Sequence, residues 1–267
     1  MKMEEKMDRQ AILVVSFGTS HAGTRARTIE AIEQDIRDAF PEWPVYRAWT
    51  SKVIIDKLRT EGYEIDTVEE ALERMEKDGI KRVIVQPTHV LDAMEHKQMK
   101  VIAFSNMHKF EYMAFGAPLL RNNDEELDHV VKAVMEEFSG LEDDTALVFM
   151  GHGTNLDDHG VYAALEERSH KTGYENVFVG VMGEQSTLDI LKNRVEERGY
   201  RKVILAPFLI VAGRHATKDM AGAQDNSWKS QFAMAGFDVT CLMKGLGEYP
   251  SIRRIFVEHA RMRMIHM

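Results

Sequence analysis

Lys81-Arg-Val-Ile-Val-Gln-Pro-Thr-His-Val-Leu-Asp-Ala-Met-Glu-His96 returns further along the chain as Arg201-Lys-Val-Ile-Leu-Ala-Pro-Phe-Leu-Ile-Val-Ala-Gly-Arg-His-Ala216. Two basic residues, a β-branched run and a proline recur in register, which sets Glu95 opposite His215. The segment Ala11-Ile-Leu-Val-Val-Ser-Phe-Gly-Thr19 repeats in the same way as Ala146-Leu-Val-Phe-Met-Gly-His-Gly-Thr154, with Phe17 opposite His152. One α/β unit is written twice. The second copy carries a histidine at both matching places.

Outward from these segments, strand and helix patterns alternate. Apolar, β-branched runs at Ile12–Val15, Arg82–Val85, Leu147–Met150, Val177–Val181 and Val203–Leu205 read as buried strands. Val45–Trp49, Tyr112–Phe115 and Val239–Met243 complete four per half. Ile29, Ile32, Ile36 and Phe40 follow one helical face, and Thr67 with Glu70 forms a capping box that opens a helix over 68–77. Strands that alternate with helices require crossovers and a parallel sheet. The expected division is an N-terminal α/β half (1–123), a connecting helix and turn (124–144) and a C-terminal α/β half (145–267). No linker rich in Pro, Gly or Ser separates the halves, so they are expected to pack with a cleft between them.

Composition narrows the function classes. With 44% hydrophobic and 29% charged residues the chain is close to the average soluble globular protein. A formal net charge of −9 argues against a nucleic-acid partner. Cys241 is the only cysteine, which rules out an intramolecular disulfide and any cysteine-built zinc or iron–sulfur site. The polar start Met1–Gln10 lacks a signal-peptide pattern, and no apolar run reaches membrane-spanning length, so no membrane partner and a cytoplasmic location are expected. Self-association into a homo-oligomer is left open.

In open parallel sheets, ligands sit beyond the carboxyl ends of the strands. At those ends the second half offers His152 in Gly151-His-Gly153, Glu184 after Met182-Gly183, and His215 after Gly213-Arg214. Two imidazoles and a carboxylate from three strand ends make a borderline metal site with open coordination positions. The other nine histidines, among them His129, His170 and His259, read as solvated. In the first half Ser16, Phe17, Gly18 and Thr19 form a strand-to-helix turn, suited to a bound carboxylate or phosphate or to a plain cap by Thr19 or Ser20. His89 and Glu95 follow the third strand, Glu95 as a proton acceptor or as a helix-start carboxylate.

Taken together, Val14-Val-Ser-Phe-Gly-Thr-Ser20, Met150-Gly-His-Gly153, Val211-Ala-Gly-Arg-His-Ala216 and Asp225-Asn-Ser-Trp-Lys229 resemble the CbiK family of anaerobic cobalt chelatases. The likeness runs from the first strand to Gly245-Leu-Gly-Glu-Tyr-Pro250 and the terminal helix. It implies two flavodoxin-like, doubly wound halves around a tetrapyrrole cleft. It also implies insertion of Co2+ into sirohydrochlorin, with the ion as substrate and no organic cofactor. By the same resemblance His152, Glu184 and His215 are the metal ligands, and Glu95 matches an acidic residue near the cleft.

Insertion needs a held ion, a bent ring and an acceptor for two pyrrole protons; His152, His215 and Glu95 are the catalytic candidates. Arg47, Lys52 and Arg214 are candidate partners for the carboxylates of the ring. Three rivals are a chelatase for iron or nickel, a histidine phosphatase, and a metal or haem carrier with His89 or His96 as axial ligand. The phosphatase reading lacks its phosphate-clamping arginine, since Gly151 stands in that place.

Overall fold

The computed structural model describes residues 9–153, 156–183 and 185–264, the side chains of 156–159 and 185–186 excepted. The chain forms two compact units. One comprises Met1–Leu119 and Arg253–Met267, the other Leu120–Ile252.

The first unit is built on a parallel sheet of β1 (Gln10–Ser16), β2 (Val45–Trp49), β3 (Arg82–Pro87) and β4 (Tyr112–Phe115), in the order β2-β1-β3-β4. Its central strands are shut off from solvent on both faces, which is why their sequences read as unbroken apolar runs. Helices α1 (Ala22–Arg27), α2 (Ile29–Ala39), α3 (Lys52–Thr60), α4 (Val68–Lys77) and α5 (Met94–Ser105) make the crossovers. Helix α4 buries Val68, Ala71, Leu72 and Met75 against Leu13, Val83 and Val85. It starts with the capping box that Thr67 and Glu70 encode, both reciprocal bonds being present.

The second unit repeats the plan: β5 (Thr145–Gly151), β6 (Val177–Val181), β7 (Lys202–Pro207) and β8 (Asp238–Cys241) lie in the order β6-β5-β7-β8, all parallel. The register is the same in both. Val15 pairs with Pro87 as Met150 pairs with Pro207, and Ile12 pairs with Val45 as Leu147 pairs with Val177. Helices α6 (Asp124–Met135), α7 (Leu156–Lys171), α8 (Gln185–Glu197) and α9 (Trp228–Met234), with a π-helix at His215–Met220, complete the unit. Phe178, Leu191, Val195, Trp228 and Phe232 fill its core.

Three details differ from the sequence reading. The connecting helix, expected from the sequence over 124–138, stops at Met135 and tightens into a 3-10 turn, Glu136–Phe138. The last strand ends at Cys241 instead of Met243. The terminal helix α10 (Pro250–Met264), which the division at 145–267 assigns to the second half, belongs from Arg253 onward to the first unit. There Arg253 Nε donates to Asp35 Oδ2 at 2.7 Å, and His259 Nδ1 lies 3.1 Å from the Ala117 carbonyl.

Candidate metal centre

In the second unit the chain runs from β5 through α7 to β6 on one side, then crosses to β7 on the other. The strand order therefore reverses between β5 and β7, and the crevice at their carboxyl ends is where open α/β sheets bind ligands. His152 leaves β5 at this edge, half-buried. His215 opens the π-helix that follows β7. Their ring centroids stand 5.2 Å apart with the planes inclined at 49°. An ion bound at ordinary length to one nitrogen of each ring would lie about 3.2 Å from each centroid, so tetrahedral sharing puts the rings about 5.2 Å apart. The observed spacing meets that condition.

The backbone seats both rings. Gly151 is packed beneath Tyr162, whose ring would lie 2.6 Å from any Cβ at that position, and the Tyr162 hydroxyl donates to the His152 carbonyl at 3.1 Å. Gly-His-Gly is thus a close-packed strand end. Nδ1 of His215 lies 2.6 Å from Asp219 Oδ2, a carboxylate four residues on in the π-helix. An ionised carboxylate only accepts, so Nδ1 is the donor, and in a neutral ring that tautomer leaves the Nε2 lone pair to an ion. Asp219, a candidate the sequence reading missed, could have been found by its i, i+4 spacing from His215. Glu184, the carboxylate expected to complete the set, lies outside the described residues. Among the described residues no group of three or more His, Cys, Asp or Glu stands in metal-binding geometry.

The first unit brings its own candidates to the edge of β1 and β3. Ser16 is buried and its hydroxyl accepts from Thr88 at 2.8 Å. Phe17 turns outward, 48% exposed. Gly18 adopts φ +103°, with the Trp49 indole where a side chain would stand. Thr19 is buried, its hydroxyl accepting from the His21 N–H at 3.3 Å, while Ser20 accepts from Lys57. Neither Thr19 nor Ser20 caps the helix: α1 begins after His21 with no side-chain cap, and it is only six residues long. Glu95 sits half-buried in the first turn of α5. His89 packs against His96, both having lost solvent, and desolvation drives the His89 imidazole down to about 3.

The expectation of nine solvated histidines fails at His259, which is buried on the Ala117 carbonyl, and at His96. His170 also bonds inward, with Nε2 at 2.7 Å from the Val177 carbonyl. Arg47 is not available to a substrate carboxylate. Its Nε and a terminal nitrogen grip both oxygens of the fully buried Glu33, at 2.6 and 2.5 Å. Lys52 and Arg214 remain exposed. A cavity of about 400 Å3 lies at the other end of the second sheet, among Phe138, Glu142, Tyr174 and Tyr200. It contains no histidine and offers no comparable chemistry.

Two duplicated parallel sheets with an imidazole pair at one strand-order reversal define a chelatase-type α/β protein. Residues 10–265 match the family described as Cobalt chelatase (CbiK), and the chain belongs to that family. Over 252 residues it is 34% identical to the sirohydrochlorin cobaltochelatase of Salmonella typhimurium, covering 94% of this chain and 95% of that one. Sirohydrochlorin cobaltochelatase CbiKC of Nitratidesulfovibrio vulgaris is 31% identical over 256 residues, 95% of this chain and 90% of the relative. The fold superposes on SirB from Bacillus subtilis with Fe3+ at a TM-score of 0.66, with 15% identity and coverage of 95% and 94%. No helix among the described residues is long and apolar enough to cross a membrane.

Proposed function

We infer that this chain is a sirohydrochlorin cobaltochelatase, inserting Co2+ into the tetrapyrrole in cobalamin biosynthesis. The observation that carries the reading is the His152–His215 pair, spaced to share one ion, in a chain that matches the cobalt chelatase family almost end to end. Two neutral imidazoles suit a borderline divalent ion, and a carboxylate from Glu184 would offset part of its charge. The set leaves positions open, as it must, because a saturated ion could not pass to the ring.

Insertion exchanges two pyrrole protons for one divalent ion. In this reading the ion leaves His152 and His215 as the ring nitrogens take it. His152, once free of metal, accepts one proton, and Glu95 is the carboxylate assigned to the other. Asp219 keeps Nδ1 of His215 protonated, so that Nε2 stays a ligand. Phe17, 48% exposed, offers an apolar face to the ring, and the Ser16–Thr19 turn and Arg214 offer donors for its carboxylates. No organic cofactor is required, because no electron is transferred.

An anaerobic absorbance time course with sirohydrochlorin and Co2+ tests the assignment. Catalytic turnover to the cobalt complex is the expected result. Insertion of Fe2+ or Ni2+ alone would keep the chelatase and discard the cobalt. Stoichiometric binding that then stops would indicate a carrier.

A further inference from the structure

The first unit carries an imidazole pair of its own. His89 follows β3 at the carboxyl edge, and His96 lies in the first turn of α5. Their centroids are 5.8 Å apart with planes inclined at 48°, against 5.2 Å and 49° for His152 and His215. In each pair an aspartate holds Nδ1 of the helical histidine: Asp92 at 2.7 Å from His96, Asp219 at 2.6 Å from His215. Each aspartate is four residues from its histidine, before it in the first unit and after it in the second. The likeness is not inherited from the duplication, because Leu209 and Ala216 occupy the places that match His89 and His96. The same device, a strand-end histidine beside a carboxylate-held helical one, is built from different positions.

The surroundings of the two pairs differ. The His215 side chain is 47% exposed, whereas that of His96 is wholly buried. Both ring nitrogens of His89 and Nε2 of His96 are shut off from solvent, with no hydrogen-bond partner among the described residues. Leaving a buried polar atom unpaired is costly, so nitrogens gathered at one spot without partners call for something that uses their lone pairs. Buried imidazole nitrogens without hydrogen-bond partners are ready ligands.

We propose that His89 and His96 form a second metal site, within the first unit, for a first-row divalent ion such as Co2+, Ni2+ or Zn2+. Rings 5.8 Å apart can share one ion if the angle between the two bonds opens to about 130°. Asp92 offsets part of the charge through His96, and its half-exposed carboxylate marks the solvent side of the site. Two protein ligands make this an exchangeable site, weaker than a closed structural one.

Equilibrium dialysis of the full chain against Co2+ alone, with metal counted per chain, tests the proposal. Two ions are expected for the unaltered protein, one for the His152→Ala/His215→Ala variant and one for His89→Gln/His96→Gln. Should the latter variant fail to fold, paramagnetically shifted imidazole protons in the Co2+-loaded His152→Ala/His215→Ala variant give a second readout, with signals from two histidines expected. A single ion in the unaltered chain, a second ion that survives replacement of His89 and His96, or uptake of haem in place of the bare ion at this pair would each overturn it.

Discussion

His215 has one nitrogen free for metal because Asp219 holds the other. Removing such a carboxylate typically costs 10- to 100-fold in metal affinity, so Asp219→Ala should weaken Co2+ binding about tenfold with the fold intact. Asp219→Glu should restore part of the loss. A Co2+ absorption titration checks both, and unchanged affinity in Asp219→Ala would remove the aspartate from the site. Arg47 makes the opposite case. It clamps the fully buried Glu33, and its removal leaves that carboxylate only Arg37, 3.2 Å away and partly exposed. Arg47→Ala should therefore lower stability by about 2 kcal/mol in urea unfolding. Its Co2+ affinity should match that of the unaltered chain. The histidines could be read from the sequence as candidates because the duplication sets them beyond strand ends, opposite Phe17 and Glu95. Asp219 was within reach through its spacing, but the partner of Arg47 was not, since an arginine on a strand looks the same whether it faces solvent or a buried glutamate.

Strands were legible at the level of elements because both faces of each central strand are covered, leaving unbroken apolar runs at Ile12–Val15 and Leu147–Met150. The α4 cap was legible for a local reason: Thr67 and Glu70 satisfy each other's backbone. Thr67→Ala should cost about 1 kcal/mol at neutral pH. The Thr67 backbone N–H, with Arg59 also bonding to it, holds the Glu70 carboxyl below its ordinary value near 4.5. A depressed carboxyl binds fewer protons folded than unfolded, so its contribution is present above that value and lost as pH falls. The gap in urea midpoint between the unaltered chain and Glu70→Gln should accordingly close between pH 7 and pH 3. A gap that stays constant would mean that the carboxylate charge is irrelevant to the cap. The start of α1 was misread because Thr19 spends its hydroxyl on the adjacent His21 N–H and Ser20 pairs with Lys57, leaving His21 to begin the helix bare. The π-helix at His215 has no sequence signature of its own.

Across the whole molecule, duplication read from two pairs of segments is matched by two sheets of the same order and register. The placement of α10 was not legible, because its partners Asp35 and Ala117 are remote in sequence and only the folded chain joins them. Chelation in this molecule depends, as proposed, on His152 and His215 together holding the ion that enters the ring. The direct test is the anaerobic insertion of Co2+ into sirohydrochlorin, followed by absorbance, for the unaltered chain and for His152→Ala and His215→Ala, each first shown to be folded by circular dichroism. Both variants should lose most of the insertion rate and bind Co2+ more weakly. Turnover at the unaltered rate in both variants would contradict the claim.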